Sequence, residues 1–162
     1  MTYRSLLLVV SLGSYATGFS QKGEYAFSSS QREAVQKLLA DSTQATLVLK
    51  SACTNSYLSE YVKEHAGYTP YFCTGDFDGD GMTDFVIATQ TQQRFDLFLY
   101  RSTKTGYRKP HWFASLDWLN ECGLFAQKGK LRVGKFFSDD VISFVWNRTT
   151  QKFEQESSST EE

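Results

Sequence analysis

The chain has 162 residues, 17 Lys and Arg against 18 Asp and Glu, a net charge of -1 and 15% aromatic residues. A balance this close to neutral leaves no basic stripe for neutralising phosphates, which argues against nucleic acid as a partner. The positive charges are scattered, with one loose group at Lys104, Arg108 and Lys109.

In chain order, a basic Arg4, the apolar run Leu6 to Val10 and small residues at Ser14, Ala16 and Gly18 outline a secretory signal peptide over residues 1–20. The run is shorter than the roughly 20 residues a membrane helix needs, and no later segment is longer, so no membrane span is expected. The chain then reads as a secreted or periplasmic protein. Residues 21–156 suit a single domain, since a chain of about 140 residues forms one core comfortably.

Ser30-Gln31-Arg32-Glu33 has the capping-box pattern, and Ala34, Val35, Leu38 and Leu39 follow at helical spacing, predicting a helix over residues 30–41. Leu47-Val48-Leu49 predicts a strand over 44–50. Tyr57, Leu58, Tyr61 and Val62 predict a second helix over 56–65, capped by Thr54 or Asn55 and stopped by Gly67; its Tyr57/Tyr61 stripe reads first as core and otherwise as a contact face.

From Tyr71 the pattern changes to strands and turns. Tyr71-Phe72-Cys73 and Phe85-Val86-Ile87-Ala88 flank an acidic stretch. Residues 94–101 alternate, with Phe95, Leu97 and Leu99 on one face and Asp96, Phe98 and Tyr100 on the other; the aromatics predict that this second face is also partly covered. A hairpin at Thr103 to Gly106, a strand over 107–113, a short helix over 115–121 and strands over 124–126, 131–136, 141–146 and 152–155 complete the reading. The fold class expected is α+β: two N-terminal helices packed on a mostly antiparallel sheet of about six to eight short strands. The Ser/Glu end, 157–162, is expected to be a disordered acidic tail.

Three cysteines lie beyond the leader, and an oxidising compartment favours one disulfide with one thiol left over. The pairing among Cys53, Cys73 and Cys122 is open, although a strand-helix-strand path can return Cys73 towards Cys53. A loop of about 20 residues closed that way would contribute roughly 3 kcal/mol.

The stretch with definite chemical meaning is Gly75-Asp76-Phe77-Asp78-Gly79-Asp80-Gly81-Met82-Thr83-Asp84-Phe85. Carboxylates on alternate residues suit a hard cation that takes six to eight oxygen ligands. Asp76, Asp78 and Asp80 would supply side-chain oxygens at positions one, three and five. Met82 would supply its backbone carbonyl at position seven, and Asp84 would ligate at position nine directly or through water; Gly81 allows the sharp turn. Position twelve is Ile87, where an EF-hand needs a bidentate Glu, so the loop is not an EF-hand.

This Asp-x-Asp-x-Asp-Gly-x-x-Asp loop, running straight into a strand, resembles the calcium loops of FG-GAP and VCBS-type repeats. In that family the loop joins two strands of a propeller blade, and calcium rigidifies the turn. The resemblance implies Asp76, Asp78, Asp80, Met82 and Asp84 as Ca2+ ligands. It covers one loop, and the chain is too short for a multi-blade ring, so neither the propeller nor its adhesion roles carry over.

Catalytic signatures are sparse. The histidines are His65 and His111; Cys53 near a helix start reads as a half-cystine rather than a nucleophile, and Asp139-Asp140 and Asp96 read as solvated turn and strand residues. No nucleophile elbow, P-loop or dinucleotide fingerprint occurs. Trp112, beside Arg108, Lys109 and Pro110, is the expected surface aromatic, and Asn147-Arg148-Thr149 matches a glycosylation sequon. The function expected is an exported calcium-binding domain whose ion is mainly structural and which binds another protein in an inhibitor, immunity or envelope-interaction role. The alternative is a calcium-dependent hydrolase or carbohydrate-active protein.

Overall fold

A computed structural model describes residues 25–42, 44–92 and 94–156. The expected leader, 1–20, and the acidic tail, 157–162, lie outside the described residues. Helix α1 (Ser29–Asp41) opens on a capping box made by Ser28 and Gln31: the Ser28 hydroxyl accepts the Gln31 N–H at 3.2 Å, and the Gln31 side-chain carbonyl accepts the Ser28 N–H at 2.8 Å. The expected box at Ser30 and Glu33 is the same pattern two residues on. Gln31 is buried while Glu33 is exposed, so packing decides which of the two overlapping boxes forms.

Strand β1 (Thr46–Leu47) and helix α2 (Leu58–Glu64) precede β2 (Phe72–Gly75), β3 (Asp84–Thr91) and β4 (Arg94–Tyr100). The short ribbon β5 (Ser102–Thr103) and β6 (Gly106–Tyr107) leads to β7 (His111–Leu116). These build a five-stranded antiparallel sheet in which β3 is central: β2 pairs with its first half, β1 with its second half on the same edge, and β4 then β7 extend the other side. A meander of β8 (Gly123–Gln127), β9 (Lys130–Gly134), β10 (Val141–Asn147) and β11 (Lys152–Gln155) forms a separate four-stranded antiparallel sheet.

The period-two alternation of the central strands explains the layering. Val86 and Ala88 of β3 and Leu97 and Leu99 of β4 point into a core completed by Leu124, Leu131, Val133, Phe144 and Phe153 of the second sheet. Their neighbours Phe85, Ile87 and Tyr100 point the other way, where Val35, Leu38 and Leu39 of α1 cover them. The first sheet is therefore buried on both faces, which is why β3 reads as an unbroken apolar run. The covered second face of β4 matches its alternating pattern.

The α+β expectation is corrected by this arrangement. The chain is mostly β, with 41% of residues in strands and 20% in helices, and its strands divide between two stacked sheets with a short ribbon between them. The strands after Gly123 pair with one another instead of extending the first sheet, and α1 alone lies across that sheet's outer face. Helix α2 is only seven residues long and sits beside the second sheet, where Tyr61 meets Phe125 and Phe136 at ring-centroid distances of 5.5 and 5.3 Å. The expected helix over 115–121 is also replaced: β7 continues to Leu116, and only a single 3-10 turn, Leu119–Glu121, follows. A bulge, in which Phe113 has no partner in the ladder between Leu97 and Phe98, breaks the alternation that would have announced this strand.

Candidate metal centre

The acidic stretch forms the connection between β2 and β3, two strands paired in register from Phe72 opposite Ile87 to Gly75 opposite Asp84. The loop thus closes directly on the sheet, with Asp76 just beyond its first strand and Asp84 as the first residue of its second. Positive φ values of 71° at Gly79 and 83° at Gly81 make the two turns that fold the carboxylates inward, a conformation glycine adopts without a Cβ penalty.

One carboxylate oxygen from each of Asp76, Asp78 and Asp84 lies within 4.8 Å of the other two. Two oxygens bound to a common calcium at 2.3–2.6 Å can stand at most about 5 Å apart, so this spacing fits a single ion. Backbone N–H groups, most of them the loop's own, hold these side chains. Asp76 accepts the N–H of Asp80 and of Gly81, both at 3.1 Å, and Asp78 accepts the Asp80 N–H at 3.1 Å. Asp84 is fully buried and accepts the Phe77 N–H at 3.1 Å and the Ser102 N–H at 2.8 Å.

Asp80 and Met82 stand differently from the other three. The Asp80 side chain is exposed and turns back to accept the Met82 N–H at 2.9 Å, outside the converging group. Met82 is half-buried. Among the expected ligands, the structure therefore brings together Asp76, Asp78 and Asp84.

Burial raises the Asp84 carboxyl above the usual carboxylate range, and the Asp78 charge adds to the rise; the N–H groups of Ser102, Phe77 and Asp78 oppose it. Asp78 is raised by burial first and by the neighbouring Asp80 charge, against the Asp80 N–H and Arg101. Desolvated, mutually repelling carboxylates are an arrangement that a bound cation relieves.

Residues the sequence reading did not mark complete the surroundings. Arg101, almost fully buried, places Nε 3.5 Å from the Asp78 carboxylate, donates from Nη1 to the Gln151 side chain at 3.0 Å and lies 4.5 Å over the Trp146 ring. Arg148, in the turn between β10 and β11, donates from Nη2 to the Gly79 carbonyl at 3.1 Å. Phe77 is only 3% exposed and meets Phe153 of β11 edge-on at 5.8 Å. Its ring also lies across Gly75, where an added Cβ would stand 3.2 Å from Phe77 Cζ and 3.4 Å from Ala126 Cβ of β8. A loop rooted in the first sheet is thereby fastened to the second directly at two points, Phe77 and Gly79, and indirectly at Asp78 through Arg101, which bridges to Gln151 and Trp146. These contacts are long-range, and their signals in the sequence, an isolated Phe within an Asp-rich loop and two distant arginines, do not name each other.

Other candidates fall elsewhere. Cys53, Cys73 and Cys122 carry free thiols and border one core cluster, with Cys53 hydrogen-bonded to Tyr71. Burial pushes the Cys122 thiol up to about 11. Asp96 accepts the Ser115 hydroxyl, and the Trp112 indole N–H reaches Asp96 at 3.3 Å. The Asn147 amide is engaged in its turn: Oδ1 accepts the N–H of Thr149 and Thr150, and Nδ2 donates to Glu154. Trp112 is 53% exposed, as expected, but so are Tyr57 at 54% and Phe137 at 56%, which meet edge-on at 6.1 Å. The Tyr57/Tyr61 stripe is thus only partly core. A groove of about 500 Å³ beside this pair is lined by Tyr61, His65, Phe125, Arg132 and Phe137 among others, and no carboxylate of the acidic loop lines it.

Comparison of the chain with protein-family models, with curated proteins and with solved structures gave no match. No helix among the described residues is long and apolar enough to cross a membrane.

Proposed function

We propose that this is an exported calcium-binding domain in which the ion is chiefly a structural fastener, and that it acts by binding another protein. The observation that carries the metal reading is the convergence of exposed Asp76 with the partly buried Asp78 and the buried Asp84, all held by backbone N–H groups, in a loop that also contacts the second sheet. Asp80 would reach the ion after a rotation of its exposed side chain, and Met82 would contribute its carbonyl. The likeness to FG-GAP and VCBS calcium loops supports the choice of calcium and extends no further than the loop. With no bidentate Glu at Ile87, affinity belongs with extracellular modules, at dissociation constants of about 10⁻⁴ to 10⁻³ M.

The protein-binding reading rests on the aromatics left in solvent. Tyr57, just before α2, and Phe137, in the turn between β9 and β10, expose a paired apolar tip, and Trp112 stands on β7; Tyr and Trp are enriched where proteins meet. The metal half is tested by thermal melting in EDTA and in 10 mM calcium. Ligand linkage at the affinities above gives about 1.4 to 2.7 kcal/mol of added stability. For a domain of this size that corresponds to a melting temperature roughly 5 to 10 °C higher. Asp78→Ala should abolish the increment. Identical curves in EDTA and calcium would remove the metal from the account.

A further inference from the structure

We propose that Arg101 is a built-in counter-ion of the Asp76–Asp84 loop: its guanidinium holds the loop closed without metal, so that a divalent cation binds in competition with it. The inference deepens the calcium reading and rests on it. Three contacts fix the guanidinium where it is. Nε stands 3.5 Å from Asp78 Oδ2, Nη1 donates to Gln151 Oε1 at 3.0 Å, and the carbon at the centre of the group lies 4.5 Å over the Trp146 ring. The side chain is only 11% exposed and that of Asp78 9%, so water screens this pair poorly.

Arg101 is also placed by the same segment that serves the loop's buried end. It is the residue after β4, and the next N–H along the chain, that of Ser102, donates to Asp84 at 2.8 Å. Any shift of this segment to carry the guanidinium away would disturb the Asp84 carboxylate as well. A guanidinium keeps its charge at every physiological pH, unlike a lysine that can neutralise when desolvated. The loop accordingly has a permanent positive charge at one ligand. In its metal-free form this charge offsets part of the carboxylate repulsion; when a divalent ion arrives, the same charge repels it. The arrangement sets affinity low, so that the site fills only where calcium is abundant and the fold survives where it is not.

The test compares wild type with Arg101→Met, which keeps an apolar stem against Trp146 and removes the charge, and with Arg101→Gln, which keeps a donor towards Gln151. Calcium affinity is measured by calorimetry, and melting is recorded in EDTA and in calcium. Both variants should bind calcium about tenfold more tightly or better, the scale on which one neighbouring full charge alters a carboxylate's proton affinity. Both should melt below wild type in EDTA and recover in calcium. A residue that served only packing would weaken binding when replaced. If wild type binds calcium and both variants bind it equally or more weakly, the counter-ion role is overturned and the metal site stands. If neither wild type nor variants bind calcium and no melt responds to it, the metal reading fails and the competition falls with it. Should Arg101→Met fold only in calcium, that requirement supports the proposal, and Arg101→Gln supplies the affinity.

Discussion

Replacing Phe77 with Ala tests whether the acidic loop is fastened to the second sheet. The ring is 3% exposed and lies between Gly75 and Phe153, which it meets edge-on at 5.8 Å. Truncating a buried Phe to Ala costs about 3 to 5 kcal/mol, a transfer loss plus the cavity it leaves. An edge-to-face pair adds about 0.5 to 1.5 kcal/mol beyond area burial, already within that range for rings so placed. The loop's other tethers, from Arg101 and Arg148, hold the rest of the loop in place, so a cavity here has little room to collapse and the expected loss lies towards the upper end, about 4 to 5 kcal/mol. Against a domain stability of about 5 to 15 kcal/mol this is large. Urea unfolding followed by tryptophan fluorescence measures it, with the midpoint falling and the slope unchanged. Because calcium would act on the same loop, the stability it adds should also shrink in the variant. A loss under 1 kcal/mol, with the full calcium increment retained, would show that the loop hangs on the first sheet alone and that Phe77 is not its bolt.

Three further outcomes follow from the loop and its neighbours. Gly81→Ala meets open space and should cost about 1 to 2 kcal/mol for its left-handed backbone alone, whereas Gly79→Ala also displaces the Arg148 guanidinium from the Gly79 carbonyl and should cost about 1 kcal/mol more; equal losses in urea would remove Arg148 from the account. Asp78 and Asp84 are both raised in the folded state, so without metal their ionisation opposes folding: in EDTA their contribution should worsen as pH rises from the ordinary value of about 3.9 through the raised folded values, and the calcium increment should grow over the same window. Melting curves at several pH values check this, and a calcium increment that did not decline on acidification would contradict it. Phe137 is 56% exposed with φ of 55°, a strained pairing for a bulky side chain, so Phe137→Asn should leave stability unchanged or raise it by up to about 1 kcal/mol in urea; a clear loss would assign the ring to the fold rather than to a contact face.

The sequence was most legible where local chemistry decides the outcome. The strand over 152–155 and the strands bounding the acidic loop carry their own signals, and the alternation of Phe95, Leu97 and Leu99 against Phe98 and Tyr100 already implied layers on both sides. The loop was legible because its four aspartates recur within nine positions around two glycine turns, so their placement is decided locally. Legibility failed where the decision is long-range. Nothing between Gly123 and Gln155 says whether its strands extend a sheet or start another, since a meander pairs with itself either way. Tyr57 has helical spacing with Tyr61, yet it stands just before α2 and its ring meets Phe137 instead of the core.

The same division explains why the loop's chemistry and its mechanical role differ in visibility. Asp76, Asp78 and Asp84 are close in sequence, so their convergence follows from two glycine turns and one hairpin. Arg101 reaches the loop through the β3–β4 pairing of the first sheet, whereas Arg148 and Phe153 belong to the second, and only the stacking of the two sheets delivers them. A cation bound by the carboxylates would therefore act on contacts the loop does not itself encode. Drawing Asp76 and Asp78 towards Asp84 tightens the turn that carries Phe77 and Gly79, and through them the seam between sheets. If that coupling holds, removing calcium loosens the packing of Phe77 on Phe153 before it disturbs β3, whose six residues from Asp84 to Thr89 are buried in both layers. Amide exchange resolved along the chain distinguishes the two: protection should fall first across residues 76–83 and 148–153, and last in β3.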